Sequence, residues 1–295
     1  MQECLKIFLI ARQVVELRYN CWKEEFYQDS KHCLISNSTR SVKILRERKP
    51  IIGGNWKMNL NQTDSFLLLS ELNEKLGNLE LPEIVLFPPF MWLTEAKKML
   101  KNTQLMLGAQ NVYWETDGPF TGEINSHMLV DIVDYVLIGH SERRLHFGEE
   151  DSEINKKLFA VIESGLTPVL AIGEQRHERI AQETAQKLRI QIEESFNNFE
   201  KIPLDLVIAY EPVWAIGTGE PAHPEEAQES CALIREIIQS RFDSLTAKNI
   251  RIQYGGSINA ANAAEFSNFT DIDGLLVGSA SLEATNFAEI CTAFV

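Results

Sequence analysis

Short apolar runs alternate with amphipathic stretches along most of this chain. Eight runs rich in β-branched or aliphatic residues predict strands, at 51–52, 84–87, 104–109, 135–138, 168–172, 206–210, 250–254 and 274–277. Between them, apolar residues at helical spacing predict helices, clearest at 66–76, 154–164, 180–196 and 225–242. Apolar strands that alternate with helices are typical of a parallel sheet covered by helices. Eight such units in about 250 residues predict an α/β fold of the (β/α)8 barrel class.

A doubly wound open sheet is the alternative arrangement for alternating strands and helices. That fold often carries a GxGxxG turn after its first strand, whereas residues 53–59 here read GGNWKMN. The barrel interpretation is therefore favoured. It predicts that residues at the ends of the eight strands meet at one face of the molecule, where the active sites of barrel enzymes lie.

The first 48 residues differ in character from the rest. They carry nine basic and six acidic side chains and include three of the five cysteines. A transit peptide contains few acidic residues, so the six acidic side chains argue against one. The apolar run at 7–10 is too short for a signal peptide. We predict an N-terminal extension over residues 1–48 and a barrel domain over residues 49–295. Two hypotheses remain for the extension: a packed, targeting or disordered appendage, or sequence translated upstream of the true start.

Charge and cysteine usage exclude several classes of partner. A formal net charge of −14 and a pI near 5.0 argue against nucleic acid, whose binding needs a basic face. No apolar stretch approaches the roughly 20 residues of a membrane span, so no membrane partner is predicted. The five cysteines form no CxxC pair, which indicates reduced thiols and a cytoplasmic setting. Cys231 and Cys291 lie in helical patterns and are predicted to pack in the core.

A carboxylate follows the sixth predicted strand. Glu211 comes directly after Tyr210, and a stiff Pro-Val-Trp and several small residues follow it. A lone glutamate at a strand end more often caps the next helix than performs catalysis. A base on a rigid strand end beside a mobile cover is, however, what proton abstraction in a water-excluded pocket requires.

Two further strand ends carry residues suited to the same chemistry. Lys57 follows the first strand, and its ammonium could attract a phosphate or a developing enolate oxygen. His140 follows the fourth strand as a candidate electrophile or proton shuttle. Glu142, Arg143 and Arg144 are interpreted as a supporting network of ion pairs. Either Lys57 or His140 alone could be an ordinary turn residue.

The last two strands end in small residues. Residues 254–257 read YGGS and residues 277–281 read VGSAS. Such loops let backbone N–H groups approach an anion closely, and phosphate sites of barrels often use the loops after the seventh and eighth strands. The sequence therefore predicts a phosphate site here.

Five motifs resemble the triosephosphate isomerase family. They are NWK at 55–57, GHSERR at 139–144, the segment 209–219 around Glu211, YGGS at 254–257 and LVG at 276–278. The motifs occur in the family's order, and the resemblance extends from about residue 49 to the C-terminus. It implies a TIM barrel that interconverts dihydroxyacetone phosphate and D-glyceraldehyde 3-phosphate, in glycolysis and gluconeogenesis. The reaction would proceed by proton transfer through an enediol or enediolate, without a metal or other cofactor.

The resemblance also implies a role for each matching residue. Glu211 would be the base that moves a proton between two carbons, and His140 would be a neutral electrophile. Lys57 would stabilise the enediolate, and Asn55 would orient the substrate. The substrate- and phosphate-binding residues would be Asn55, Trp56, Lys57, Gly217, Ser257, Gly278 and Ser279.

Further residues would support or cover this site. The supporting residues would be Ser141, Glu142 and Tyr254. The lid would include Pro212, Val213, Trp214, Ala215, Ile216, Gly217 and Thr218. The chain departs from the family pattern at Ser279, where a glycine is usual, and at Pro221 in the far hinge of the lid, where proline predicts slower lid motion.

The resemblance implies a homodimer formed through the loop of residues 112–124, with Thr121 supporting Lys57 of the second copy. A loop of this length carrying Trp114 and Phe120 would expose aromatic area on a monomer. Two other functions remain as alternatives: a catalytically inactive TIM barrel that binds partners or is structural, and an isomerase acting on another phosphosugar.

Overall fold

Eight parallel strands form a closed barrel in the part of the chain that this computed structural model describes, residues 48–78, 82–215 and 222–294. Each strand pairs with its neighbours in sequence, and β8 pairs with β1 to close the barrel. The strands are β1 (Ile51–Asn55), β2 (Glu83–Phe87), β3 (Leu105–Ala109), β4 (Tyr135–Ile138), β5 (Thr167–Ile172), β6 (Val207–Tyr210), β7 (Arg251–Tyr254) and β8 (Gly274–Val277). The prediction of a (β/α)8 TIM barrel is confirmed.

Helices cover the outside of the barrel. Within the described ranges they are α1 (Gln62–Leu76), α2 (Phe90–Met99), α3 (Ser141–Phe147), α4 (Asp151–Glu163), α5 (Arg176–Ile180), α6 (Thr184–Ser195), α7 (Pro224–Arg241), α8 (Ser244–Asn249), α9 (Ala263–Phe266) and α10 (Ala284–Thr292). Short 3-10 turns lie at Ser126–Met128, Val213–Ala215 and Ser279–Leu282.

The strands separate two apolar layers. Side chains alternate between the two faces of a strand, so Val207 and Ala209 of β6 point into the barrel, whereas Ile208 and Tyr210 point toward the helices. Because both faces are buried, the strands read as continuous apolar runs, which is why they were recognisable in the sequence.

One predicted helix is wrong in its extent. The amphipathic pattern predicted a continuous helix over 180–196, but the structure has α5 and α6 separated by residues 181–183. Gln182 adopts a left-handed backbone conformation with φ of 60°, which ends helical hydrogen bonding at that point. Ile180, an apolar member of the predicted stripe, is 75% exposed rather than packed on the barrel.

Arg48, three residues before β1, is bound at the amino-terminal end of the barrel. The guanidinium of Arg48 donates to the Asp273 carboxylate at 2.7 Å and to the carbonyl oxygen of Thr270 at 2.7 Å. Asp273 is buried and also accepts from Arg235 at 2.9 Å. The rest of the predicted extension, including Cys4, Cys21 and Cys33, lies outside the described residues, and the division between 48 and 49 stays a prediction.

Other sequence-based expectations concern cysteines, membranes and metals. Cys231 and Cys291 are buried and carry free thiols, as predicted. No helix in the described ranges is both long enough and apolar enough to cross a bilayer. Across the same ranges, no group of three or more His, Cys, Asp or Glu side chains is arranged to hold a metal ion.

Candidate active site

One cavity at the carboxyl ends of the strands gathers most of the predicted catalytic and substrate-binding residues. Its volume is about 730 Å³. Three groups distant in sequence, Lys57, His140 and Glu211, line it together. The other predicted residues that line it are Asn55, Ser257, Gly278 and Ser279.

Several predicted residues do not line this cavity. The Trp56 side chain is fully buried in the layer between barrel and helices and does not line the cavity. Tyr254 is also fully buried, and its hydroxyl accepts a hydrogen bond from the Ala222 amide at 3.1 Å. Ser141 lines a neighbouring cavity of about 510 Å³. Gly217 lies outside the described residues.

Glu211 is a buried carboxylate held by two donors. Its Oε2 accepts from the Ser141 backbone amide at 2.9 Å, and its Oε1 lies 3.0 Å from Nε2 of His140. Burial by itself would raise the pKa of Glu211, but His140, the Ser141 amide and the Lys57 ammonium together lower it below its usual range. Glu211 is therefore ionised, and so able to accept a proton, at neutral pH.

His140 stands at the start of helix α3. Its Nδ1 accepts a hydrogen bond from the Glu142 backbone amide at 3.3 Å, so Nδ1 is the unprotonated nitrogen and Nε2 carries the proton toward Glu211. Burial alone would lower the pKa of the imidazole, but the Glu211 carboxylate raises it more, and the net direction in this arrangement is upward. The rise depends on the carboxylate remaining in contact with Nε2.

Lys57 brings a positive charge to the cavity. Its ammonium lies 2.5 Å from Oε1 of Glu142. A Cβ atom placed on Gly278 would lie 3.6 Å from Cε of Lys57, so the lysine also approaches the loop after β8. The cation therefore lies between the strand end that carries His140 and the loop predicted to bind phosphate.

The loop after β7 depends on small residues for close approach. A Cβ on Gly255 would come within 3.1 Å of Cγ of Glu211, and one on Gly256 within 2.1 Å of the Tyr254 hydroxyl. The Ser257 hydroxyl donates to the Ala215 carbonyl at 2.7 Å, which links this loop to the base of the predicted lid.

The described part of the predicted lid is tied to β5. Pro212 is followed by the 3-10 turn Val213–Ala215, and the Trp214 indole donates to Oε1 of Glu174 at 2.8 Å. Tyr210 also donates to Glu174, whose side chain is fully buried, and burial raises the pKa of this carboxylate. The remaining lid residues Ile216, Gly217 and Thr218, and the hinge residue Pro221, lie outside the described residues.

Two residues important to this geometry were missed in the sequence. Glu174 anchors the base of the lid, and its only sequence signal was its position just beyond the end of a strand. Gln110 follows β3 and donates from its side-chain amide to the Lys57 carbonyl at 2.8 Å. No motif marked either residue.

Contacts within the same chain stabilise the loop of residues 112–124. The Tyr113 amide donates to the Ile124 carbonyl at 2.8 Å, and the Tyr113 ring stacks on Trp114 with centroids 4.1 Å apart. The Lys156 ammonium lies over the Trp114 ring at 5.0 Å. Of the two aromatic residues expected to be exposed, Trp114 is half-buried and Phe120 is 37% exposed.

Comparison with known proteins assigns the chain to a family. A family model described as triosephosphate isomerase matches residues 50–294. The chain belongs to the triosephosphate isomerase family. Triosephosphate isomerases of Alkaliphilus oremlandii and Alkaliphilus metalliredigens are each 46% identical to it over 245 residues, which cover 82% of this chain and 98% of each relative. The triosephosphate isomerase of Dictyoglomus thermophilum is 45% identical to this chain over 245 residues, again 82% of this chain and 98% of the relative.

Membership in the triosephosphate isomerase family makes the chain an isomerase and confirms the resemblance read from its motifs. The family match covers the whole barrel, while the N-terminal 49 residues lie outside it. With Lys57, His140 and Glu211 all present in one cavity, the catalytic interpretation is supported over that of an inactive barrel.

Proposed function

We propose that this isomerase interconverts dihydroxyacetone phosphate and D-glyceraldehyde 3-phosphate through an enediolate, with Glu211 as the base. The observation that carries the proposal is the shared cavity of Lys57, His140 and Glu211 beside two small-residue loops. A three-carbon substrate with a phosphate at one end needs a base, an electrophile and an anion site, and this cavity offers all three.

Glu211 begins in a resting position. Its oxygens are engaged with the Ser141 amide and with His140, so the carboxylate must leave these donors before it can take a proton from a substrate carbon. A base must come within about 3.2 Å, measured between heavy atoms, of the atom whose proton it removes, or reach it through one water. Substrate binding is proposed to draw Glu211 inward, as closure of the lid excludes water.

The departure of Glu211 changes His140. The carboxylate is the main cause that raises the pKa of the imidazole. Once it moves, burial, the Lys57 ammonium and the amide of Glu142 at Nδ1 disfavour the imidazolium, and only the weaker effect of the Glu142 carboxylate still raises the pKa of His140. His140 is then neutral and can donate its Nε2 proton to the substrate oxygen, an arrangement known from this enzyme family.

Charge that develops on the substrate is met by Lys57. Its ammonium is proposed to stabilise the enediolate, with Asn55 orienting the substrate at the end of β1. Backbone amides of Gly278 and Ser279, together with Ser257, are proposed to bind the phosphate with Gly217 of the lid. Fixed phosphate and excluded water would suppress loss of phosphate from the enediolate.

A coupled assay of the purified full chain with dihydroxyacetone phosphate tests the proposal. Formation of glyceraldehyde 3-phosphate without added metal or cofactor is the expected result. Turnover of a longer phosphosugar in place of the triose would favour the alternative isomerase. Absence of turnover with either would favour the inactive barrel.

The proposed assembly is a homodimer through the loop of residues 112–124, with Thr121 reaching toward Lys57 of the second copy. Exposed apolar side chains support it, because Met58 is 96% and Phe147 71% exposed. Met58 follows β1, the loop follows β3 and Phe147 ends the helix after β4, so all three belong to segments that follow the carboxyl ends of strands on one side of the barrel. The proposed setting is the cytoplasm, which the free thiols of Cys231 and Cys291 support.

We expect Met58→Glu to convert the dimer into a single chain, because a carboxylate would be buried without a partner at the interface. Analytical ultracentrifugation should show a fall from twice 33.5 kDa to 33.5 kDa. Leu245→Glu is the matched control, because Leu245 is 62% exposed on α8, which precedes β7 at the other end of the barrel. A wild-type chain that sediments as one copy would contradict the proposed assembly.

A further inference from the structure

The proposed phosphate site is built from two separate loops. Ser257 lies in the loop after β7, and Gly278 and Ser279 lie in the loop after β8. The ladder between β7 and β8 ends at the pair formed by Tyr254 and Leu275, before either loop begins. One phosphate group can be bound by both loops only at a fixed distance between them. Beyond the ladder, other contacts must set that distance.

A side chain from the helix after β8 supplies such a contact. Asn286 lies in the first turn of α10, and its Oδ1 accepts a hydrogen bond at 3.0 Å from the Ala260 backbone amide in the loop after β7. Asn286 is half-buried and lines the cavity, and Ala260 packs against the apolar core. The backbone amide of Asn286 donates to the capping carboxylate of Glu283 at 2.7 Å. This bond fixes the backbone from which the Asn286 side chain extends.

Two asparagine side chains stabilise the loop that contains Ala260. Oδ1 of Asn262 accepts from the Asn259 amide at 2.9 Å, and Oδ1 of Asn259 accepts from the Ala261 amide at 2.9 Å. Nδ2 of Asn262 donates to the Ser257 carbonyl at 3.2 Å. Because these bonds join residues on both sides of Ala260, a displacement of Ala260 is expected to move Ser257 as well.

We infer that Asn286 is a positioning residue for phosphate binding, acting through the Ala260 amide. Its hydrogen bond holds the loop after β7 at the distance from the loop after β8 at which both loops can contact one phosphate group. The reacting groups Lys57, His140 and Glu211 are attached to the ends of β1, β4 and β6. The bond therefore acts on substrate affinity rather than on the chemical step. The inference rests on the proposed function for the identity of the substrate.

Asn286→Leu tests the inference, because leucine has nearly the size of asparagine but cannot accept a hydrogen bond. We expect the dissociation constant for inorganic phosphate, measured by isothermal titration calorimetry, to rise about 3- to 10-fold, the equivalent of one hydrogen bond. KM for dihydroxyacetone phosphate should rise by a similar factor, while kcat changes by less than about twofold.

Asn249→Leu is the matched control for Asn286→Leu. Asn249 ends α8, which precedes β7 at the other end of the barrel. Its side chain also makes a hydrogen bond to the backbone, from Nδ2 to the Leu245 carbonyl at 2.8 Å. Neither phosphate affinity nor KM should change in this variant.

A double-mutant cycle separates positioning from direct contact between Asn286 and phosphate. Ala260→Pro removes the backbone N–H from which Asn286 accepts. We expect Asn286→Leu to weaken phosphate binding in the wild-type background and to change it by less than about twofold in the Ala260→Pro background. Hydrogen exchange of the Ala260 amide, followed by NMR, is a second measurement that does not need the proline variant. Exchange should become faster in Asn286→Leu, because the amide has lost its partner.

Equal losses of phosphate affinity in both backgrounds would mean that Asn286 does not act through Ala260, and would overturn the inference. No loss in either background would also overturn it, as would unchanged exchange of the Ala260 amide in Asn286→Leu. Failure of the proposed function is distinguishable. A wild-type chain that binds phosphate but has no isomerase turnover would refute that proposal, while the phosphate cycle still decides the role of Asn286.

Discussion

We expect Glu211→Gln to lower kcat for triose phosphate isomerisation by about 10²- to 10⁴-fold, the range typical of a lost general base. Glutamine keeps the size of the side chain but cannot take a proton from a substrate carbon. The coupled assay measures the effect. Because an amide oxygen can still accept from the Ser141 backbone at this site, thermal unfolding should show a folded variant.

Glu193→Gln is the control for Glu211→Gln. Glu193 is an exposed carboxylate on α6 whose ion-pair partner, Arg189, lies 3.9 Å away, so its replacement should leave kcat unchanged. Transfer of deuterium from D₂O into dihydroxyacetone phosphate, followed by NMR, reports proton abstraction directly. Undiminished deuterium incorporation in Glu211→Gln would show that another group is the base.

The second large effect is expected from Gly173→Ala at the end of β5. A Cβ on Gly173 would lie 1.7 Å from the carbonyl oxygen of Glu211, a distance that backbone atoms cannot tolerate. The two strand ends are joined by the hydrogen bond from the Glu211 amide to the Ile172 carbonyl at 2.7 Å. We expect the free energy of unfolding to fall by about 3 kcal/mol or more, at the upper end of overpacking costs, as measured by urea denaturation.

The same substitution should also lower kcat, because the backbone of Glu211 must move to make room. Gly165→Ala is the matched control, placed just before β5 at the opposite end of that strand. Its φ of 79° penalises alanine by about 1 kcal/mol, but nothing lies within 4 Å of the added Cβ, so kcat should not change. Wild-type stability and kcat in Gly173→Ala would mean that the two strand ends can separate freely.

The sequence was sufficient to predict the strands, because both faces of each strand are buried. All eight strands were predicted within a few residues, because both faces of a barrel strand are apolar and the runs stand out. The helix predicted over 180–196 was wrong because spacing alone does not reveal that Gln182 leaves the helical region. An apolar residue such as Ile180 matches the helical spacing of apolar residues equally well whether its side chain is buried or exposed.

Motif resemblance located the reacting groups but not every neighbour. Trp56 lies between Asn55 and Lys57 in one motif, yet its side chain points away from the cavity because it directly follows the last residue of β1, and successive residues along a strand face opposite sides. Glu174 and Gln110 support the site through hydrogen bonds to residues 40 and 53 positions away. Such pairs leave no local pattern to read.

By itself, the sequence determined the barrel class, the family resemblance and the identity of the candidate base, electrophile and cation, since these follow from apolar periodicity and short motifs. Only the tertiary structure decided which side chains share the cavity, that Glu211 rests on Ser141 and His140, and that Lys57 is held in a left-handed conformation by Gln110. The reason is physical: periodicity reports which face of an element is buried. Distances between strand ends are set only when the closed sheet brings β1 to β8 around a common axis.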